Sequence, residues 1–290
     1  MSDFILKIYR SLIAFKNSIH HNLFMIIGFY GLLFILIICF SAERFFHAEL
    51  TPSLNILLPP AWRIDGELNY ILGTDKDGVD VFSYLLIAYK TSLLLIIKAT
   101  LYVIILATIL NYIMFFVAPI RTIINTIFKL IIAIPPLISA IIITSLFGNN
   151  IDYLLVVISL SYLPRFVIRI HKILMQERQK TYITANLLDG VPLHKTLYRY
   201  IFPNILIIYL TEIVALFGYI MLVLTILTFL NFGTTILNPD LGMMMRHMLT
   251  IFTINSWGFI APGLAIIITL LLINLLNVGL QIVLTNRNGN

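Results

Sequence analysis

Long apolar runs make up most of the chain, and polar residues are concentrated between them. The apolar residues do not alternate with polar ones, which favours helices over the strands of a barrel. A helix needs ~20 residues to cross the hydrocarbon core of a bilayer. Six runs reach about that length, at residues 22–40, 93–118, 123–147, 153–170, 201–230 and 259–284. The pattern predicts an all-α integral membrane protein with six transmembrane helices, the fifth long enough to tilt or to break near Gly218.

The composition supports a membrane location. Of the 290 residues, 60% are hydrophobic and 11% are charged. So few charged side chains cannot cover a water-facing surface, and lipid must therefore cover much of the protein.

The charges between the runs predict an orientation. With both termini in the cytoplasm, twelve Lys and Arg residues lie inside and five outside, as the positive-inside rule requires. The acids sort oppositely, with nine outside and three inside. An acidic outer face would favour a cationic ligand, and the alternative is that these acids only cap turns and helices.

The chain lacks the groups that enzymatic chemistry would need. No Gly-rich loop followed by Lys-Ser or Lys-Thr is present, so the chain offers no phosphate cradle and is not itself an ATPase. None of the six histidines forms an i, i+4 pair typical of a zinc site. We predict no catalytic, metal or cofactor-binding residues, and we expect no nucleic-acid partner.

Three ionisable residues fall within the predicted spans: Lys98, Lys129 and Glu212. Such groups are costly in hydrocarbon and normally face the bundle interior or an interface. Lys129 is close enough to an end of its span to snorkel toward the cytoplasm. Glu212, with its neighbour Thr211, either serves packing within the bundle or lines a substrate path.

The stretch from Arg165 to Pro203 is basic and contains a turn. It carries seven cations and two acids. Residues 167–179 and 181–188 are predicted to be helical, and Asp189-Gly190 is a turn signal, since Gly accepts positive φ. Pro192 suits the first turn of a further helix with an apolar stripe at every fourth residue. Two short helices joined in this way could fit the groove of a partner or lie on the membrane surface.

This stretch resembles the coupling loop of binding-protein-dependent ABC importers. Thr184-Ala185-Asn186, then Asp189-Gly190, then Ile201-Phe202-Pro203, matches the spacing of the Glu-Ala-Ala loop of that family, which docks onto the ATP-binding subunit. Here Thr184 stands for the usual Glu and Asn186 for the usual Ala. The resemblance implies that residues 171–203 form the ATPase-coupling loop.

Two further segments resemble the oligopeptide and dipeptide permeases of this family. Residues 72–83 match the Leu-Gly-Thr-Asp-x-x-Gly-Arg-Asp-Val segment that precedes the second span, with Val79 in place of Arg. Residues 261–264 and 274–280 match its Ala-Pro-Gly and Asn-Leu-Leu-Gly-Asp-Gly-Leu patterns, without the Gly-Asp. The outer segment either contacts a binding protein or only seats the second span. Its motif residues are Gly73, Thr74, Asp75, Gly78 and Asp80.

Residues 57–62, 163–165, 188–190 and 211–213 are similar to the Sap branch of peptide permeases, which is implicated in susceptibility to antimicrobial peptides. The resemblance implies a type I ABC permease fold in a bacterial inner membrane. It also implies a heterodimer with a sister permease, two ATPase subunits and a periplasmic substrate-binding protein. Its cargo would be peptides, especially cationic or antimicrobial ones; alternatives are putrescine export and a non-transporting membrane assembly subunit.

The predicted organisation follows from these segments. Residues 1–21 form a cytoplasmic segment, 22–40 the first span and 41–92 a periplasmic segment. Residues 93–284 form the permease domain with five helices, and 285–290 a cytoplasmic tail.

Overall fold

The computed structural model describes residues 22–45, 50–233 and 239–288. The predicted segment 1–21 lies outside these ranges, as do residues 46–49, 234–238 and 289–290. Within them the protein is helical, and the only β-type pairing is an isolated bridge between Thr74 and Asp80. The helices are α1 Leu23–Phe45, α2 Val81–Phe116, α3 Ala118–Ile132, α4 Pro136–Phe147, α5 Ile151–Arg178, α6 Thr181–Leu188, α7 Leu193–Thr196, α8 Phe202–Phe229, α9 Leu241–Leu249 and α10 Ser256–Asn288. The predicted all-α architecture is confirmed.

In the described part of the chain, five helical stretches are long and apolar enough to cross a membrane. The third predicted run differs from the continuous span that we expected, because α3 and α4 meet at 85°. Pro135 and Pro136 explain the break. Neither supplies a backbone donor, and a residue before proline is pushed out of the helical region, as Pro135 is at ψ 133°.

Two other predicted runs are longer in the structure. α2 begins at Val81, twelve residues before its predicted start, because the Asp80 side chain accepts from the backbone N–H groups of Phe82 and Ser83. α5 continues to Arg178, as the helix predicted at residues 167–179 indicated, so the fourth run and the start of the basic stretch form one helix.

The fifth run is continuous through Gly218 and begins earlier than predicted. A π-helical turn at Leu197–Ile201 joins α7 to α8, and the Phe202 N–H bonds to the Leu197 carbonyl. Pro203 occupies the first turn of α8, where its missing N–H is tolerated. The predicted stripe of Leu193, Leu197 and Ile201 packs against the core.

The long helices pack around α8, which contacts α2, α5 and α10. Side chains from α2, α5 and α8, such as Ile96, Ile158 and Ile220, are fully buried between them. α1 packs on α10, where a Cβ at Gly279 would overlap Met25, so the missing side chain allows close approach. This arrangement leaves the α6 loop at one end of the bundle and α9 at the other.

Candidate functional site

The loop after α5 has the two-helix form that the sequence predicted. α6 spans the predicted residues 181–188. Its end is a Schellman motif, since the Gly190 N–H bonds to the Leu187 carbonyl and the Val191 N–H to the Asn186 carbonyl. Gly190 has φ +80° and no heavy atom within 4 Å of where a Cβ would lie.

α6 presents an outer face with no covering element among the described residues. Thr184, Ala185 and Leu188 are exposed, and the Leu188 side chain is 84% accessible. Asn186 is partly buried and its amide donates to the Tyr182 carbonyl at 2.7 Å. Asp189 is exposed at the C-cap. The exposed residues are spaced so that one helical face carries them.

A buried carboxylate braces the inner side of α6. Glu177, in the last turn of α5, accepts hydrogen bonds from the Tyr182 hydroxyl and from Asn204 Nδ2, the latter at 3.4 Å. Asn204 Nδ2 also donates to the Tyr182 hydroxyl at 2.7 Å, and Lys180 Nζ lies 2.7 Å from Glu177 Oε2. The end of α5, the start of α6 and the start of α8 therefore share one polar cluster. We call these four residues the Glu177 cluster.

Two predicted loop residues are placed in the wall behind α6. Ile201, at the end of the π-helical turn, is fully buried. Pro203 is also buried, in the first turn of α8. Neither is on the exposed face of the loop, and both set the position from which α8 starts.

A cavity of about 400 Å³, lined by three charged side chains and by aromatic and apolar ones, lies between α5 and α8. Arg169 and Glu212 form an ion pair there, with 2.5 Å between Nε and Oε1. The Arg169 side chain is 68% exposed and that of Glu212 is 12% exposed. The lining residues are Tyr162, Arg165, Phe166, Arg169, Glu212, Ala215, Leu216 and Tyr219. We call this space the α5–α8 cavity.

Of the two predicted path residues, only Glu212 lines this cavity. Thr211 is buried, and its hydroxyl donates to the Ile207 carbonyl at 2.9 Å. Glu212 does not pair with Lys98, whose Nζ instead lies 2.6 Å from Asp152 Oδ1. Arg165 and Arg169 had been counted in the basic loop, and because α5 continues to Arg178 both line the cavity together with Glu212.

The outer motif is a compact loop whose polar side chains point inward. Thr74 is fully buried; its hydroxyl donates to the Asn55 carbonyl and accepts from the Leu58 N–H. Oδ1 of the buried Asp75 accepts from the N–H groups of Asp77 and Val79, both at 2.8 Å. Gly73 and Gly78 have positive φ, and any Cβ there would overlap the backbone of residues 58 or 53. With Asp80 capping α2, all five motif residues hold the loop against the start of that helix.

The structure adds α9, which the hydrophobic pattern did not reveal. Asp240 accepts from the N–H groups of Gly242 and Met243, which begins the helix, and the Thr228 hydroxyl donates to it at 2.6 Å. At the other end His247 lies 3.9 Å from Asp75 Oδ2 and 3.8 Å from Asp77 Oδ2. The cap Asp240 and the basic last turn of Arg246 and His247 were sequence signals for this helix.

Comparison with known proteins places most of the chain in one family. The family described as "Binding-protein-dependent transport system inner membrane component" matches residues 103–288.

Individual relatives agree with this match. The chain is 32% identical to the "Peptide transport system permease protein SapC" of Escherichia coli O6:H1 over 226 residues, 78% of this chain and 76% of the relative. It is 28% identical to the "Di/tripeptide transport system permease protein DppC" of Pseudomonas aeruginosa over 258 residues, 87% of this chain and 85% of the relative. It is also 28% identical to the "Dipeptide transport system permease protein DppC" of Escherichia coli K12, covering 78% of this chain and 76% of the relative.

Proposed function

Because this chain belongs to the family of binding-protein-dependent transport system inner membrane components, among its oligopeptide and dipeptide permeases, we propose that it is the membrane-spanning subunit of an ATP-driven peptide transporter. The chain itself carries no phosphate-binding loop. ATP is therefore hydrolysed by partner subunits, and this chain converts their movement into movement of its helices.

The observation that carries the proposal is the Glu177 cluster behind an exposed α6. A force applied to the outer face of α6 would reach α5 and α8 through two hydrogen bonds and an ion pair to one buried carboxylate. α5 and α8 are also the two walls of the α5–α8 cavity. Closure of an ATPase dimer against α6 would therefore change the cavity directly, as alternating access requires. Thr184, Ala185 and Leu188 are the residues that we expect to touch the ATPase.

The α5–α8 cavity is our candidate for the translocation path. Arg165 and Arg169 are exposed on α5, a helix of membrane-spanning length. A guanidinium within such a helix is costly to expose to lipid, and such groups normally face a water-filled path or a protein interface. This polar lining favours a transport path over the alternative of a non-transporting assembly subunit, in which polar groups would be buried against neighbouring helices.

The names of the relatives support peptides as cargo, and the Sap relatives support the narrower proposal of cationic or antimicrobial peptides. Putrescine or another polyamine is the alternative cargo. We further propose a sister permease that forms a heterodimer with this chain, two ATPase subunits and a periplasmic substrate-binding protein. The membrane would be a bacterial inner membrane, with both termini and the α6 loop on the cytoplasmic side.

The outer segment is our candidate contact for the substrate-binding protein. The motif side chains are used within the loop, so such a contact would involve its exposed apolar residues. Leu54, Ile64 and Leu68 are among the most exposed apolar side chains that the structure describes.

Co-purification in mild detergent tests the proposal. The chain should bring with it an ATPase subunit, and the purified complex should hydrolyse ATP faster when short peptides are added. Stimulation by putrescine alone would favour the polyamine alternative. A complex without any ATPase subunit would contradict the transport function.

A further inference from the structure

We propose that the α5–α8 cavity binds a carboxylate group of the cargo and that Arg165 is the residue that receives it. This proposal rests on the transport function proposed above and adds the chemical group that the path recognises.

The charges in the cavity are unbalanced in favour of an anion. Two arginines and one glutamate line it. The glutamate is already engaged by Arg169 at 2.5 Å. Arg165 makes no ion pair with any described residue, and among those residues its Nη2 approaches the Ile132 carbonyl at 3.5 Å. The cavity therefore holds one cation whose charge no described acid neutralises.

The chemistry of Arg165 selects a carboxylate. A guanidinium presents a planar fork of N–H donors that matches the two oxygens of a carboxylate, and the resulting charge-assisted pair is among the stronger hydrogen-bonded contacts. Partial exclusion of water by the helix walls strengthens such a pair further. A polyamine offers only cations, so it would leave Arg165 without a counter-charge.

The remaining walls suit a short peptide attached to that carboxylate. The rings of Tyr162 and Tyr219 are nearly parallel, with an interplanar angle of 6° and a distance of 6.3 Å between their centroids. Phe166 and Leu216 add apolar surface. Mostly apolar walls with a few convergent polar groups, in a volume of ~300–1,000 Å³, are typical of small-ligand sites. Glu212 offers a second point of attachment, to which an ammonium group of the cargo could bind in place of the largely exposed Arg169.

The test compares cargo with and without a carboxylate. The co-purified complex is placed in proteoliposomes, and ATP-dependent flux is measured for trialanine and trilysine, each as free acid and as C-terminal amide, and for putrescine. Loss of one charge-assisted bond corresponds to roughly tenfold or more in kcat/KM, so we expect the free acids to exceed the amides by at least about tenfold. An amidated tripeptide with one aspartate shows whether a side-chain carboxylate replaces the terminal one.

Variants assign the effect to Arg165. Arg165→Gln should lower flux of the free acids more than flux of the amides, so that the acid-to-amide ratio falls to about one. Lys172→Gln removes an exposed cation from the same helix outside the cavity and should leave the ratio at its wild-type value. Thermal unfolding of each variant checks that the fold is retained.

Two results would overturn the inference while the transport function stands: equal flux of acids and amides in the wild type, or a parallel loss of both in Arg165→Gln. The second would mean that Arg165 serves an interface or the fold. No ATP-dependent flux of any peptide by an intact, ATP-hydrolysing complex would instead contradict the proposed function, and this inference with it.

Discussion

Glu177 connects the proposed coupling helix α6 to α5 and α8, the two helices that form the walls of the α5–α8 cavity. Its carboxylate is buried, yet each oxygen has a partner: Lys180 at Oε2, and Tyr182 and Asn204 at Oε1. A buried charge is tolerated only when it is paired and hydrogen-bonded in this way. The cluster is therefore expected to hold α5, α6 and α8 in one fixed relation.

Removing the hydroxyl of Tyr182 tests this role. Tyr182→Phe deletes the group that donates to Glu177 and accepts from Asn204, at a cost of ~1.5–3 kcal/mol, the usual contribution of a hydrogen bond to a charged group. We expect the complex to assemble and hydrolyse ATP while the number of peptides moved per ATP falls several-fold. Both rates are measured in the same proteoliposomes.

Tyr198→Phe is the matched control, because Tyr198 is exposed in the neighbouring π-helical turn. It should keep the wild-type ratio of transport to hydrolysis. The same ratio in Tyr182→Phe would mean that the cluster does not transmit movement.

Asp240 gives a prediction about pH. Burial raises the pKa of this carboxyl, and hydrogen bonds from Thr228, Met243 and Gly242 only partly offset the rise. A folded-state pKa above the unfolded value means that the proton is held more tightly in the folded protein. Below the ordinary aspartate pKa of ~3.9 this group makes its full contribution to the free energy of unfolding. That contribution is lost as pH rises through the raised pKa of the folded state.

Asp240→Asn keeps a neutral side chain at every pH. The difference in Tm between this variant and the wild type should therefore shift in favour of the variant as pH rises above about 4. Cys39 is the single cysteine and is buried, so a thiol-reactive dye reports unfolding. A pH-independent difference in Tm would contradict the prediction.

Individual residues were predicted unevenly from the sequence. Gly190 was found because a turn that needs positive φ leaves a local signature. The pairing of Arg169 with Glu212 was not predicted, because the two residues are 43 positions apart in the chain and meet only through the packing of α5 against α8. Glu177 was counted only as one acid of a basic loop, since its burial depends on the same packing.

At the level of elements, the orientation of α6 depends on the Schellman motif at its C-terminal end. Gly190→Val places a β-branched residue at φ +80°, where the strain is of the order of 1–3 kcal/mol. The surrounding space is open, so the cost comes from the backbone and not from a clash. We expect the Schellman end to rearrange and α6 to change its angle, so that ATP hydrolysis continues while transport falls.

Gly190→Asn separates strain from the loss of glycine itself. Asparagine enters the left-handed region more readily than β-branched residues do, so this variant should retain most of the transport activity. Transport by Gly190→Val at the wild-type level in reconstituted vesicles would count heavily against α6 as the coupling element.

Elements were predicted best where one local rule decides them. The apolar runs gave the long helices, because length and continuity suffice for a span. The break between α3 and α4 was missed even though Pro135 and Pro136 signal it, since the run is apolar throughout. α9 was missed because its nine residues are too few for a span, so a search for long apolar runs does not reveal it.

At the scale of the whole molecule, the proposal requires α6 and the outer segment to lie on opposite sides of the membrane. They lie at opposite ends of the bundle, and the excess of Lys and Arg on the α6 side favours that side as cytoplasmic. Exposed positions suitable for labelling exist in both: Leu188 in α6 and Ile64 in the outer segment.

Cysteine labelling in intact cells tests this orientation. In a Cys39→Ala background, Ile64→Cys should react with a membrane-impermeant maleimide added to cells whose outer membrane has been opened. In cells that lack the ATPase partner, Leu188→Cys should react only after the inner membrane is also permeabilised. Because both side chains are exposed, burial within the chain would not explain a difference between them. If Leu188→Cys reacted before permeabilisation, no ATPase in the cytoplasm could reach α6, and the coupling that links hydrolysis to the α5–α8 cavity would have no physical route.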